Sequence, residues 1–152
     1  MPRIVREAEI AWEGTTARGA GVVTAASSGA FELPITIASR VGDPKGKTSP
    51  EELIAAAHAS CFVSSLGSEL ARADTPPERL HVRCTITMDQ IETGDHRIVA
   101  SHLVATGTAP GADAESFARA AEAADAACPI AALIRASAAV TVEATLNREG
   151  ER

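Results

Sequence analysis

The chain has no tyrosine, one tryptophan and three phenylalanines, so aromatic residues fill only 3% of its 152 positions. Its interior must therefore be assembled from Ala, Val, Leu and Ile, each of which buries a modest area. That length fits a single domain over 1–152 with a real core, and dimerisation would bury further apolar surface. A basic cluster is also missing. The formal net charge is −6 with Lys and Arg scattered, which argues against nucleic acid or an anionic membrane as partner. Arg3, Arg6 and Glu7 stand where a signal peptide needs an apolar core. No apolar run reaches the ~20 residues that span a bilayer. A cytoplasmic setting is expected, where idle thiols stay reduced and disulfides are catalytic or sensing.

Several signature motifs are absent as well. There is no Gly-x-Gly-x-x-Gly, no Walker loop and no Gly-x-Ser-x-Gly elbow, and no bound cofactor is expected. Cys-x-x-Cys is missing, which excludes a thioredoxin-type site by spacing. The three cysteines are an odd count, against a disulfide scaffold. His58 and Cys61 have zinc-like spacing, but a structural site needs a second such pair. His81, His96 and His102 lie on strand-like segments without cysteine neighbours, so no metal is expected.

The elements that are present alternate clearly. Ile4–Trp12, Arg18–Ala26 and Phe31–Ile37 read as strands, with Pro34 implying an edge or a bulge. Residues 41–48 are a loop by composition. Ser49, Pro50 and Glu52 then mark a helix start with a capping box. That helix is expected to run to about Ala73, central and buried, with Leu53, Ile54, Ala57, Cys61 and Ser65 on one face. Leu80, Val82, Cys84, Ile86 and Met88 alternate along a strand, and a turn at Thr93-Gly94-Asp95 returns it over Arg97–Thr108. Helices over Ala114–Ala127 and Ile130–Ala136 follow, then a closing strand through Val140, Val142, Ala144 and Leu146. The pattern is one α+β domain.

Two thiols on rigid elements are the strongest chemical signal. Cys61 lies three turns into the long helix, and Cys128 precedes Pro129 at the start of a short one. A buried cysteine can be a small hydrophobe with no other role, and both positions admit that reading. At a helix N-terminus, however, Cys128 would feel a field that favours a thiolate. A disulfide between the two needs Cα atoms within ~4.4–6.8 Å. Cys84, between Val82 and Ile86, reads as core.

The segment Ser49-Pro50-Glu51-Glu52-Leu53-Ile54-Ala55-Ala56-Ala57-His58-Ala59-Ser60-Cys61-Phe62, with Cys128-Pro129-Ile130 later, resembles the OsmC/Ohr family of organic hydroperoxide reductases. His58, three residues before the first cysteine, matches the OsmC branch, as do Ala11-Trp12-Glu13-Gly14 and Gly111–Phe117. The loop Asp43-Pro44-Lys45-Gly46-Lys47 departs from the family pattern. The resemblance implies antiparallel sheets packed around central helices in an intertwined homodimer. It implies Cys61 as the peroxidatic thiol, Cys128 as the resolving thiol, and an arginine held by Glu51 to stabilise the thiolate. Arg40 is the OsmC-branch match for that arginine, and Arg18 is the alternative. The implied reaction reduces organic hydroperoxides through a Cys61 sulfenic acid and a Cys61–Cys128 disulfide. An external dithiol, a lipoyl group, would reopen the disulfide.

Glu51 and Cys61 are ten residues apart, which on a straight helix is about 15 Å of rise. The Arg–Glu pair is therefore expected to serve a site composed from two chains. The rival expectations are a non-catalytic dimer of the same fold that binds a small apolar ligand, and a thiol redox sensor.

Overall fold

The computed structural model describes residues 2–148, and these form two compact units, Met1–Leu53 and Ile54–Arg152. The first unit holds strands β1 (Glu9–Glu13), β2 (Ala20–Thr24) and β3 (Glu32–Ile35), then a short helix α1 (Ile37–Val41). The strands make an antiparallel meander in the order β1-β2-β3. All three are shorter than the sequence pattern suggests. Gly21 pairs with Trp12 across β1 and β2, and a Cβ at Gly21 would lie 2.7 Å from the Trp12 ring and 3.2 Å from Ile35. Only glycine leaves room for the indole where it stands. Pro34 lies on β3, an edge strand, where its missing N–H costs no ladder bond.

Helix α1 replaces the expected end of a strand. Thr36 caps it, accepting from the Ser39 N–H at 3.0 Å, while the Ser39 hydroxyl accepts from the Thr36 N–H at 3.2 Å. The reciprocal bonds satisfy two donors that a helix start leaves open. This Thr-x-x-Ser box was legible, but an alternating apolar pattern over Phe31–Ile37 masked it. Arg40 consequently stands in the last turn of a helix, not at a strand end.

Helix α2 (Pro50–Arg72) starts in the first unit and continues into the second. Ser49 Oγ accepts from the Glu52 N–H at 3.1 Å, as expected of a cap. The Glu52 carboxylate accepts from the Thr48 hydroxyl at 2.8 Å, which ties the preceding loop to the first turn. The buried face is not the expected one. His58, Phe62, Leu66 and Leu70 are the buried positions, an i, i+4 row, whereas Ile54, Cys61 and Ser65 are half-buried and Ala57 is exposed. By length and composition α2 could also cross a bilayer, contrary to the expectation drawn from apolar runs. Within the fold, the 58/62/66/70 row accounts for part of that apolarity.

The second unit adds β4 (Arg79–Gln90), β5 (His96–Thr108), α3 (Ala114–Ala127), α4 (Pro129–Arg135) and β6 (Ala139–Leu146). Their sheet has the order β4-β5-β6. β4 and β5 form the expected antiparallel hairpin, but β6 joins β5 in parallel. The reason is the connection: leaving β5 through two helices returns the chain to the starting end of the strand, as in any helical crossover. Phe62, Leu66 and Leu70 of α2 pack with Leu103 and Ala105 of β5 and with Phe117, Ala120, Ala121 and Ala124 of α3. Leu80, Val82 and Cys84 of β4 and Val142, Ala144 and Leu146 of β6 line the same core. The alanines on α3 compensate for the scarcity of aromatics by letting its backbone come close.

Candidate functional site

The predicted residues fall into two pairs, each within one unit. In the first unit, Arg40 from α1 meets Glu51 in the first turn of α2. Arg40 Nη2 donates to Glu51 Oε1 at 2.6 Å, and Nε donates to Oε2 at 3.1 Å. The fork fixes the plane of the guanidinium and leaves its other N–H directions unspent on the carboxylate. The Arg40 hydrogen bonds hold the Glu51 carboxyl below its ordinary pKa, and Glu51 in turn raises that of Arg40. Arg18 sits elsewhere, in the turn between β1 and β2, where its backbone N–H donates to the Thr15 carbonyl at 3.3 Å. Glu51 thus pairs with Arg40.

In the second unit, α2 and the α3–α4 corner bring the two thiols together. Cys128 Sγ lies 2.9 Å from Cys61 Sγ and donates its S–H to it. Cys128 ends α3 and caps α4, its sulfur accepting from the Ala131 N–H at 3.4 Å. The capping role is the expected one, but its effect on ionisation is not. Burial pushes the Cys128 thiol up, and the bond to Cys61 adds to this, outweighing the lowering by the Ala131 and Ile130 amides. Cys128 is buried, whereas Cys61 is half-buried. The inner sulfur is therefore the hydrogen-bond donor and the outer one the acceptor.

Phe62, beside Cys61, is wholly inside the core and cannot line an approach to the thiol. Cys84 packs in the core as expected, but it has polar company. Its sulfur lies 3.3 Å from Ser101 Oγ and 3.8 Å from His58 Nδ1. Burial raises the pKa of Cys84 and lowers that of His58, so both are held neutral. Ser101, Asp125 and Arg135 carried no signal in the sequence. Ser101 sits in an alternating strand where a serine on the apolar face looks like an interruption. The Asp125–Arg135 pair spans ten residues and two helices, beyond any local spacing rule.

The profile of the OsmC-like protein family matches residues 42–143, which include Glu51, Cys61 and Cys128. The chain belongs to the OsmC-like family. It is 32% identical over 133 residues to the peroxiredoxin OsmC of Escherichia coli, covering 88% of this chain and 92% of that protein. Among solved structures, an OsmC-like protein of Vibrio cholerae aligns with a TM-score of 0.77 at 15% identity, covering 94% of this chain and all 100% of the other. The organic hydroperoxide resistance protein OhrB of Bacillus subtilis aligns with a TM-score of 0.69 at 20% identity, covering 91% of this chain and 98% of that one. The α+β architecture is accordingly that of OsmC and Ohr proteins.

Proposed function

We propose that this OsmC-like protein is a two-cysteine thiol peroxidase that reduces organic hydroperoxides to alcohols. The observation that carries the reading is the 2.9 Å separation of Cys61 and Cys128 sulfurs, with the buried thiol donating to the half-buried one. The relatives named for peroxiredoxin activity and for organic hydroperoxide resistance support the substrate class.

In the proposed cycle the Cys61 thiolate attacks the distal peroxide oxygen. The O–O bond breaks, the alkoxide takes a proton and leaves as alcohol, and Cys61 becomes a sulfenic acid. Cys128 then forms the S–S bond as the S–O bond breaks, and its proton leaves with the hydroxyl as water. Closing the disulfide brings the sulfurs about 0.9 Å nearer, to the ~2.05 Å of an S–S bond. An external dithiol, which we take to be lipoyl, reopens it by exchange and is itself oxidised to a cyclic disulfide. Arg40, oriented by Glu51, supplies the fixed positive charge that favours the Cys61 thiolate. A second copy of the chain provides that pair to each thiol site. The reducing environment this cycle requires is cytoplasmic.

Steady-state consumption of tert-butyl hydroperoxide with dihydrolipoamide tests the reading on wild type and Cys61→Ser. Many turnovers by the wild type, none by the variant, and a slower rate with hydrogen peroxide are expected. Treated protein in which both sulfurs stay free, with no 61–128 cross-link by mass spectrometry, would overturn it.

A further inference from the structure

Two sets of polar contacts in the second unit, one ending at His58 and one at the corner that carries Cys128, each leave a buried polar atom unmatched. The first begins at Cys84, whose burial keeps its proton in place. The Cys84 S–H can then donate to Ser101 Oγ at 3.3 Å, and Ser101 spends its single proton on His58 Nδ1 at 2.7 Å. This assignment leaves the ring proton of the neutral imidazole on Nε2. That N–H is sealed from solvent and meets no acceptor among the described residues. Asp125 Oδ1 is sealed as well and meets no donor. An unmatched buried polar group is costly, and here a donor and an acceptor are unmatched together. Burial is the main influence on the His58 ring, and the Asp125 and Arg135 charges act on it in opposite senses.

The other Asp125 oxygen is engaged. Arg135 Nη2, in the last turn of α4, donates to Asp125 Oδ2 at 2.6 Å. Asp125 belongs to the last turn of α3, where its carbonyl accepts from the Cys128 N–H at 3.4 Å. The ion pair therefore bridges the two helices on either side of Cys128 and Pro129. Since Cys128 ends one helix and caps the next, the angle between them decides where its sulfur points.

We infer that Asp125, clamped by Arg135 across the α3–α4 corner, is a positioning residue that holds the Cys128 sulfur against Cys61 for disulfide closure. The inference rests on the peroxidase reading and concerns only its second step. Without the clamp, the Cys61 sulfenic acid waits longer for Cys128, and a second equivalent of peroxide oxidises it to sulfinic acid.

Rapid-mixing measurements on the full chain separate the two steps, with mass spectrometry counting Cys61 sulfinic acid. Arg135→Met and Asp125→Asn should slow closure about tenfold or more, since displacement of a reacting group by ~1 Å can cost that much. The rate of first oxidation should stay at the wild-type value and the sulfinic fraction should rise. Arg135→Lys, which keeps the charge, should recover most of the closure rate. The Arg135 side chain is 44% exposed, so its variants test the idea even if Asp125→Asn folds poorly. Closure at the wild-type rate in Arg135→Met, or equal loss of both steps, overturns the inference. If the wild type itself forms no 61–128 disulfide, the peroxidase reading falls first and this one with it.

Discussion

At Cys128 two environmental effects oppose each other, and their balance has a kinetic consequence. Amide donors at the start of α4 favour a thiolate, but burial and the contact with Cys61 favour the thiol and prevail. In the proposed cycle the resolving thiol is thus mostly protonated at neutral pH. Its rate of disulfide closure should keep rising with pH beyond the ordinary cysteine value of 9.0, as seen in a rapid-mixing pH series. A plateau by neutrality would contradict this. Glu51 gives a second test. Its carboxyl titrates below the ordinary 4.5 in the folded protein because Arg40 bonds it. Between the folded and unfolded values the unfolded chain binds more protons, so the contribution to stability is present above about 4.5 and is lost as pH falls through the folded value. Urea titrations from about pH 6 to about pH 3 should show a shallower acid decline for Glu51→Gln than for wild type. In the proposed cycle Arg40→Met removes the fixed cation and should lower peroxidase turnover about tenfold or more while leaving the protein folded.

Among the elements, the first sheet depends on a small residue at position 21. A side chain at Gly21 would meet the Trp12 ring at 2.7 Å and Ile35 at 3.2 Å, with the Ala11 carbonyl at 3.1 Å. Gly21→Val should cost about 1–3 kcal/mol by overpacking, measured as a lower urea midpoint. A midpoint at the wild-type value would mean that the indole can move aside. The sequence showed β4, β5, β6 and α3 within a residue or so of their ends, because alternation and caps there agree with the tertiary packing. It misread the face of α2 for a definite reason. Alanines at 55, 56, 57 and 59 make the helix apolar on several sides, so periodicity alone cannot choose a seam. The bulky row of Phe62, Leu66 and Leu70 chose it, and carried the polar His58 inward with it.

On the scale of the whole molecule, several large apolar side chains are left exposed. Val41 and Leu133 are 75% and 70% exposed, and Ile10 is 57% exposed. A homodimer with shared sites predicts a particular outcome for mixed subunits. Randomly assorted Cys61→Ser and Glu51→Ala chains should recover about a quarter of wild-type activity, since half of the dimers are mixed and each carries one intact site. Activity near zero would show that each chain uses its own Glu51.

The sequence by itself determined the local elements and, through a family resemblance, named the candidate groups while leaving Arg40 and Arg18 both open. Helix caps and strand alternation are local, and local rules are readable in one dimension. Tertiary structure decided how those groups are oriented and protonated. The 2.9 Å sulfur contact, the fork between Arg40 and Glu51, and the parallel entry of β6 all join distant segments. So do the burial of His58 and the clamp of Arg135 on Asp125. Burial and long-range contact govern desolvation, and desolvation pushes the Cys128 thiol up.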